Sequence, residues 1–384
     1  MSLTEFNNIL VGKFRRITSS SLFIPEIDGL RFLAISMVVM YHLSGEVVLR
    51  NKFVFTSTAF FYNLIYKFFD NGFKGVLLFF TISGFILALP FAKHFISKEK
   101  AVSIKSYFLR RLTRIEPPYV ISIIVCFFYL VFKGTHTFST LWLSLTSALL
   151  YLNNNFQLGT VVNGVTWSLE IEVQFYIIAP LICYIFVLNK IVRRVLLLSL
   201  IILLPFINIF YFPRVSTLYN FIQYFFVGIL LTDLYISNFK ITLSKSFSVI
   251  AGILIFIIMM YIDISAAVGQ IIFLFSIMFF YFLVLTSDFW KKIFSIKYIT
   301  VIGGMCYSIY LWHYLIIDAV IKGTIFIKKP NDYLVTFALQ CLLILPCILI
   351  LSSLFYLLVE RPCMDKNWPI KLMNFFKKNF KMVK

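Results

Sequence analysis

The sequence contains few charged residues, too few to cover the surface of a water-soluble protein. Only 13% of its 384 residues are charged, whereas 61% are hydrophobic and 19% are aromatic. Soluble domains contain about 25% charged residues, and a mean hydropathy of +0.93 lies far outside their range. These values exclude a soluble globular domain and indicate a polytopic membrane protein.

Repeats, low-complexity linkers and a separate soluble domain are also missing from the sequence. The polar first 27 residues run directly into a full-length apolar span without a small-residue cleavage site, so we expect no cleaved signal peptide. The sequence therefore predicts one membrane domain at 28–362. A cytoplasmic segment at 1–27 would precede it, and a basic cytoplasmic tail at 363–384 would follow it.

Cysteine is scarce, and its placement argues against a disulfide framework. Five of the six cysteines lie within apolar spans, and Cys363 lies on the predicted cytoplasmic side. We interpret all six as packing residues. We also expect no metal site.

Apolar runs of about 20 residues, long enough to cross a hydrocarbon core of roughly 30 Å, recur along the whole chain. They predict an all-α transmembrane bundle of ten spans. The predicted spans are 29–49, 73–93, 117–133, 167–187, 194–212, 217–237, 246–263, 268–287, 300–322 and 334–358. The stretch from Thr137 to Leu152 is apolar but short, which favours a re-entrant or interfacial segment.

The basic residues predict the orientation, because Lys and Arg are concentrated in cytoplasmic loops. If both termini are cytoplasmic, 26 of the 35 Lys and Arg residues fall on the inner side and 9 on the outer side. The net charge of +19 then reflects a cytoplasmic rim that faces anionic lipid headgroups. Nucleic acid is therefore not needed to explain the charge.

The first span, DGLRFLAISMVVMYHL from Asp28 to Leu43, contains two ionisable residues that are costly in a bilayer. Arg31 and His42 are eleven residues apart, which places them on one helix face and about 16 Å apart along the axis. One interpretation is a snorkelling arginine beside a histidine that hydrogen-bonds a neighbouring helix. The other is a polar pathway from the cytoplasmic side to a proton-handling group.

Two further stretches have both a structural and a functional interpretation. In GVLLFFTISGFILALP, Ser83 and Gly84 either allow close helix packing or leave room for a ligand. In SYFLRRLTRIEPPY, apolar residues occupy one helix face, and arginines occupy the other until Pro117 and Pro118 stop the helix. These arginines either bind headgroups or, through Arg111 and Arg114, hold the phosphates of an anionic ligand.

Carboxylates open the fourth span, WSLEIEVQFYIIAP. Glu170 and Glu172 are about 200° apart on a helix and cannot face one cavity, whereas Ser168 and Glu172 share a face. In the ninth span, three-residue steps stack Tyr307, Tyr310 and His313.

Taken together, six motifs resemble those of the acyltransferase 3 family of membrane O-acyltransferases, over residues 24 to 362. They are DGLR followed by the Arg-x10-His pair, FFxxSGF, RxxR with a Pro-Tyr step, WSLxxExxFY, YSIYLWH and ExP. The resemblance implies transfer of an acyl group, usually acetyl, from cytoplasmic acyl-CoA to a hydroxyl of a carbohydrate or glycolipid of the cell envelope. We expect the protein to lie in a bacterial inner membrane. Some family members add an SGNH-type domain, which we do not expect here.

The resemblance also implies roles for individual residues. Arg31 and His42 match the essential first-span pair, Arg111 and Arg114 the paired arginines, and Glu172 the glutamate of the WSLxxE motif. We expect three catalytic residues, His42, Glu172 and Arg31, with His42 acting as general base or as transient acyl carrier. We expect acyl-CoA to contact Arg111, Arg114, Arg31 and Ser83, and the acceptor to contact Trp167, Ser168, Tyr310 and His313.

A transporter or flippase of a lipid-linked sugar is the alternative function. In that case His42, Glu172 and His313 would form a proton relay, and the arginines would gate the substrate. The ten spans show no matching halves with corresponding broken helices, which weighs against a transporter.

Overall fold

A computed structural model shows a bundle of helices, and every regular element among the described residues is helical. The described residues are 12, 14, 16, 23–53, 60–134, 136–156, 162–211, 217–239, 241, 243–330, 332–365, 368 and 371. The predicted all-α membrane fold is confirmed. Most of 1–27 and of 363–384 lies outside the described residues, so those two domain boundaries stay predictions.

Sixteen α-helices are described. In chain order they are α1 (Pro25–Asn51), α2 (Phe60–Asp70), α3 (Lys74–Ser97), α4 (Ile104–Lys133), α5 (Phe138–Leu149), α6 (Asn153–Phe156), α7 (Trp167–Ile182), α8 (Lys190–Tyr211), α9 (Leu218–Ile236), α10 (Lys245–Tyr261), α11 (Ala267–Thr286), α12 (Asp288–Phe294), α13 (Lys297–Gly304), α14 (Cys306–Thr324), α15 (Tyr333–Phe355) and α16 (Arg361–Cys363). Short 3₁₀ turns at Asn71–Phe73 and Cys183–Val187 and a π-helical turn at Tyr356–Glu360 complete the set.

Within the described residues, eight helices are long and apolar enough to cross a membrane, and the bent pair α13 and α14 makes a ninth candidate. The predicted span at 246–263 corresponds to α10, which has only 17 residues. The short apolar stretch after Thr137 forms α5, a helix of 12 residues. The number of ten spans and the orientation of the termini therefore stay predictions.

Helix α4 shows that the expected stop at Pro117 and Pro118 is wrong. The helix continues through both prolines to Lys133. Pro117 has no N–H to donate to the carbonyl of Thr113 four residues earlier. The indole N–H of Trp368 donates to that carbonyl instead, at 2.9 Å. Because a neighbouring segment supplies the missing donor, the helix continues.

The predicted ninth span at 300–322 is broken rather than continuous. Helices α13 and α14 meet at Met305 with a bend of 70°. At the break, Gly303 packs so closely on α1 that a Cβ atom there would lie 1.7 Å from the carbonyl oxygen of Asp28. The bend therefore places the start of α14 beside the start of α1.

Helices α3 and α9 pack closely, as the small residues of α3 predict. A Cβ atom at Gly84 would lie 2.3 Å from the backbone oxygen of Phe225, and one at Gly228 would lie 2.2 Å from that of Thr81. Ser83, beside Gly84, agrees with the interpretation that this stretch leaves room for a ligand, because Ser83 lines a cavity that is described below. All six cysteines are free, which confirms that they form no disulfide.

We predict that Gly303→Ala destabilises the protein. The added methyl group meets backbone rather than a flexible side chain, and overpacking of this kind typically costs about 1–3 kcal/mol. Gly323→Ala is the matched control, because a Cβ atom there meets nothing within 4 Å. Thermal unfolding in detergent, followed by loss of the monodisperse peak, should show a lower midpoint for Gly303→Ala only. Equal midpoints for the two variants would contradict the close contact with α1.

Candidate active site

A cavity of about 130 Å³, lined by charged and hydroxyl side chains together with apolar ones, lies between α1, α3, α4, α7 and α14. We call it the polar cavity. It brings together six of the residues predicted from sequence, which are Arg31, Ser83, Arg114, Ser168, Glu172 and Tyr310. Residues that are distant in sequence therefore meet at one place in the bundle. Four other predicted residues, Arg111, Trp167, His42 and His313, are not part of its lining.

Glu172 is held in the wall of the polar cavity by two hydroxyl groups. Ser83 donates to its Oε1 atom, and Tyr176 donates to the same oxygen at 2.5 Å. No described residue hydrogen-bonds Oε2, so that oxygen can accept a hydrogen bond from a ligand. Glu170 does not line the cavity; it is fully buried and accepts a hydrogen bond from the backbone N–H of Asn154 at 2.9 Å. The predicted separation of the two glutamates is confirmed.

Three guanidinium groups gather at the end of the cavity near the start of α1, and we call Arg16, Arg31 and Arg114 the arginine cluster. Arg31 donates to Asp28, Arg16 Nη1 lies 3.6 Å from the same carboxylate, and Arg114 Nη2 lies 3.9 Å from Glu360 Oε1. Three positive charges thus face two negative ones. This excess favours an anionic ligand.

Arg16 supplies the clearest sign that the arginine cluster is incomplete by itself. Its Nε atom is buried, and none of the described residues hydrogen-bonds it. Burial, followed by repulsion from Arg114 and Arg31, lowers the pKa of Arg16 to about 9. An anion bound among the three groups would raise that pKa again, because a nearby opposite charge favours the charged form.

Arg111 and Arg114 do not act as a pair in the structure. The Arg111 guanidinium carbon lies 3.6 Å from the ring centre of Tyr107, and its Nη1 donates to the Tyr107 carbonyl at 2.9 Å. Only Arg114 reaches the polar cavity. Trp167 likewise packs its ring against Phe221, at 5.4 Å between centres, and does not reach the cavity.

The two predicted membrane histidines form a pair just outside the cavity lining. His313 Nε2 lies 3.1 Å from His42 Nδ1, and His313 is fully buried, whereas His42 is half-buried. Tyr310 connects the pair to the cavity. Its hydroxyl lies 3.0 Å from Ser168 Oγ in the cavity wall, and its ring centre lies 6.5 Å from that of His313. The side chain of Tyr310 therefore lies between the polar cavity and the histidine pair.

Sequence reasoning missed four residues that shape the site, namely Arg16, Asp28, Tyr176 and Cys306. Two of these had a local signal: Asp28 precedes Arg31 by three residues, and Tyr176 follows Glu172 by four, so each lies on the same helix face as its partner. Arg16 and Cys306 had none, because only packing brings them to the arginine cluster. The described residues contain no group of three or more His, Cys, Asp or Glu that could hold a metal ion.

We predict that Cys306 is accessible from the polar cavity and that its labelling depends on reagent charge. We expect Cys306 to react faster with an anionic methanethiosulfonate than with a cationic one, because the arginine cluster attracts anions. In a variant with Cys306 as its only cysteine, the ratio of anionic to cationic rates should exceed that of a free thiol by about tenfold, and salt should reduce it.

A variant that keeps only Cys126 is the control for this experiment, since Cys126 is 2% exposed and lies outside the cavity lining. It should react with neither reagent. Equal normalised rates at Cys306 would contradict an excess of positive charge at the cavity, and no labelling would contradict access to it.

Comparison with known proteins finds no match among solved structures. The chain is 26% identical to the peptidoglycan O-acetyltransferase OatA of Listeria monocytogenes, over 93% of this chain and 58% of the relative. It is also 26% identical to the O-acetyltransferase OatA of Staphylococcus aureus, over 79% of this chain and 52% of the relative. The chain thus spans between half and three fifths of the length of these relatives. The family model for the acyltransferase domain matches residues 24–357, and the chain therefore belongs to that family.

Proposed function

We propose that this protein is a membrane O-acyltransferase that moves an acyl group, preferably acetyl, from cytoplasmic acyl-CoA to a hydroxyl of a carbohydrate or glycolipid. Family membership supports acyl transfer, and the names of both relatives support O-acetylation. The observation that carries the proposal is the polar cavity, which combines an anion-attracting arginine cluster with a carboxylate that has one free oxygen. We place the protein in a bacterial inner membrane.

The size of the polar cavity limits which part of acyl-CoA can enter it. Whole small-molecule ligands usually occupy about 300–1,000 Å³, whereas this cavity has about 130 Å³. The thioester end of the donor fits this space, and the nucleotide does not. We therefore expect the phosphates to stay at the arginine cluster, where Arg31, Arg114 and Arg16 can hold them by charge-assisted hydrogen bonds.

The remaining polar groups are suited to the acceptor and to proton transfer. Oε2 of Glu172 can accept a hydrogen bond from a second hydroxyl of the acceptor and so orient the reacting hydroxyl toward the acyl carbon. His42 then removes the hydroxyl proton as general base, or carries the acyl group briefly as a nucleophile. Ser168 and Tyr310, whose hydroxyl oxygens lie 3.0 Å apart in the cavity wall, can position the sugar.

The direct test uses purified protein in liposomes with acetyl-CoA and a peptidoglycan fragment, the acceptor suggested by the name of the Listeria relative. We expect release of free CoA thiol and a product heavier by one acetyl group in the mass spectrum. Further carbohydrate and glycolipid acceptors extend the same assay. Movement of an acceptor across the membrane without thiol release would overturn the proposal and favour a transporter.

We predict that His42→Ala lowers the rate of thiol release by about 10²- to 10⁴-fold, the usual contribution of a general base. Loss of a buried imidazole can also disturb folding, so the melting midpoint of the variant is compared with that of the unchanged protein. His94→Ala is the matched control, because His94 lies at the end of α3 and hydrogen-bonds the Glu99 carbonyl. A folded His42→Ala variant with full activity would remove His42 from the mechanism.

We predict that Arg114→Gln raises KM for acetyl-CoA far more than Arg111→Gln does. A hydrogen bond to a charged group contributes about 1.5–3 kcal/mol, so the loss of Arg114 should raise KM about ten- to a hundredfold. Arg111 is stacked on Tyr107 outside the cavity lining, and the exposed Arg110 serves as a second control. A larger effect at Arg111 than at Arg114 would place the donor phosphates elsewhere.

A further inference from the structure

The histidine pair fixes its own protonation pattern, beginning with His313. Its Nδ1 atom lies 3.0 Å from the Ile309 carbonyl oxygen and 2.8 Å from the Tyr310 carbonyl oxygen. Carbonyl oxygens only accept hydrogen bonds, so Nδ1 carries the hydrogen. In a neutral imidazole the other nitrogen is then an acceptor, which leaves His313 Nε2 with a lone pair.

His42 faces two acceptors with a single nitrogen. Its Nδ1 atom lies 3.0 Å from the Val38 carbonyl oxygen and 3.1 Å from His313 Nε2. Both neighbours offer lone pairs, so the hydrogen of His42 is on Nδ1. Its Nε2 atom is therefore unprotonated, and no described residue hydrogen-bonds it.

The reverse assignment conflicts with the surroundings of the pair. If His313 carried a second proton and donated it from Nε2, the lone pair of His42 Nδ1 would face the lone pairs of the Val38 oxygen at 3.0 Å. It would also place a positive charge on His313, which has 0% exposure and no carboxylate in contact with its ring among the described residues. A buried, unpaired charge is strongly unfavourable.

We propose that His313 is a positioning residue that holds His42 in the Nδ1–H tautomer, so that Nε2 is the reactive atom of His42. This inference rests on the proposed function for its catalytic meaning, while the tautomer itself follows from the contacts alone. Val38 holds the same hydrogen, but its carbonyl belongs to the same helix and moves with it. His313 comes from α14 and fixes the ring of His42 relative to a second helix.

In the proposed acyl transfer, Nε2 of His42 is the atom that handles the proton or the acyl group. The acceptor O–H bond breaks and its proton moves to His42 Nε2, while the hydroxyl oxygen forms a bond to the acyl carbon. The thioester C–S bond breaks, and its electron pair leaves on the CoA sulfur, which takes the proton from Nε2. If His42 instead carries the acyl group, Nε2 forms the bond to the acyl carbon as the C–S bond breaks and its electron pair leaves on the CoA sulfur. The acceptor oxygen then bonds to the acyl carbon as the N–C bond breaks and its electron pair returns to Nε2, and the hydroxyl proton passes to the CoA sulfur. Nδ1–H stays hydrogen-bonded to His313 in both steps.

The tautomer can be measured without any activity assay. The chain contains only four histidines, and replacing His94 and His136 by Gln leaves the pair alone in a protein labelled with ¹⁵N-histidine. At neutral pH, nitrogen chemical shifts in lipid nanodiscs should show a protonated Nδ1 and an unprotonated Nε2 for both rings. A protonated Nε2 on His42, or a cationic His313, would overturn the proposal.

Substitution of His313 tests the consequence for turnover. Gln at this position keeps an oxygen that can accept from His42 Nδ1–H, whereas Leu has a similar volume and no acceptor. We expect His313→Leu to lower kcat at least about tenfold, part of the usual 10²- to 10⁴-fold contribution of a general base, with KM for acetyl-CoA unchanged. His313→Gln should recover most of that loss.

Three results would contradict the positioning role of His313 without contradicting the proposed function. They are full activity of His313→Leu, an increase in KM with unchanged kcat, and equal loss in the Leu and Gln variants when both melt like the unchanged protein. If the unchanged protein releases no thiol with any acceptor, the proposed function fails, and the nitrogen shifts still decide the tautomer. If His313→Leu does not fold, the nitrogen chemical shifts and the kcat of the His313→Gln variant test the positioning role instead.

Discussion

An ionisable side chain inside an apolar helical bundle must find a partner, because an unpaired charge or polar group is costly away from water. This constraint decides which helices of the protein meet. Asp233, fully buried on α9, accepts hydrogen bonds from Arg193 and Arg194 at the start of α8. Glu360, also fully buried, accepts from the backbone N–H of Ser308 at 3.0 Å and from its hydroxyl. Each contact joins segments that apolar packing alone would leave free to slide.

The same constraint separates structural from functional polar groups. Most buried polar atoms in folded proteins have a partner, so the exceptions call for an explanation. Nε of Arg16 is one such atom, and Oε2 of Glu172 and Nε2 of His42 likewise have no hydrogen-bond partner among the described residues. The first belongs to the arginine cluster, the second to the polar cavity and the third to the histidine pair one side chain beyond it. A ligand that is anionic at one end and carries a hydroxyl or acyl group at the other would complete all three.

Patterns along single helices were predictable from the sequence, because they depend only on the geometry of one helix. The opposite placement of Glu170 and Glu172 follows from their 200° separation, and the shared face of Ser168 and Glu172 follows from their spacing of four. The interpretation failed where a neighbour overrides a local rule. Pro117 does not end α4, because Trp368 donates to the carbonyl that the proline leaves without a partner.

The sequence by itself determined the class of the protein, the approximate spans, the helix faces and the family, since hydropathy, spacing and motifs are properties of the chain. Only the tertiary structure decided that Arg114 rather than Arg111 reaches the polar cavity, that Arg16 joins the arginine cluster, and that His313 contacts His42. The physical reason is that spacing gives the angle of a side chain around its own axis. The rotation and bend of that axis against its neighbours, such as the 70° break before α14, depend on how whole helices pack.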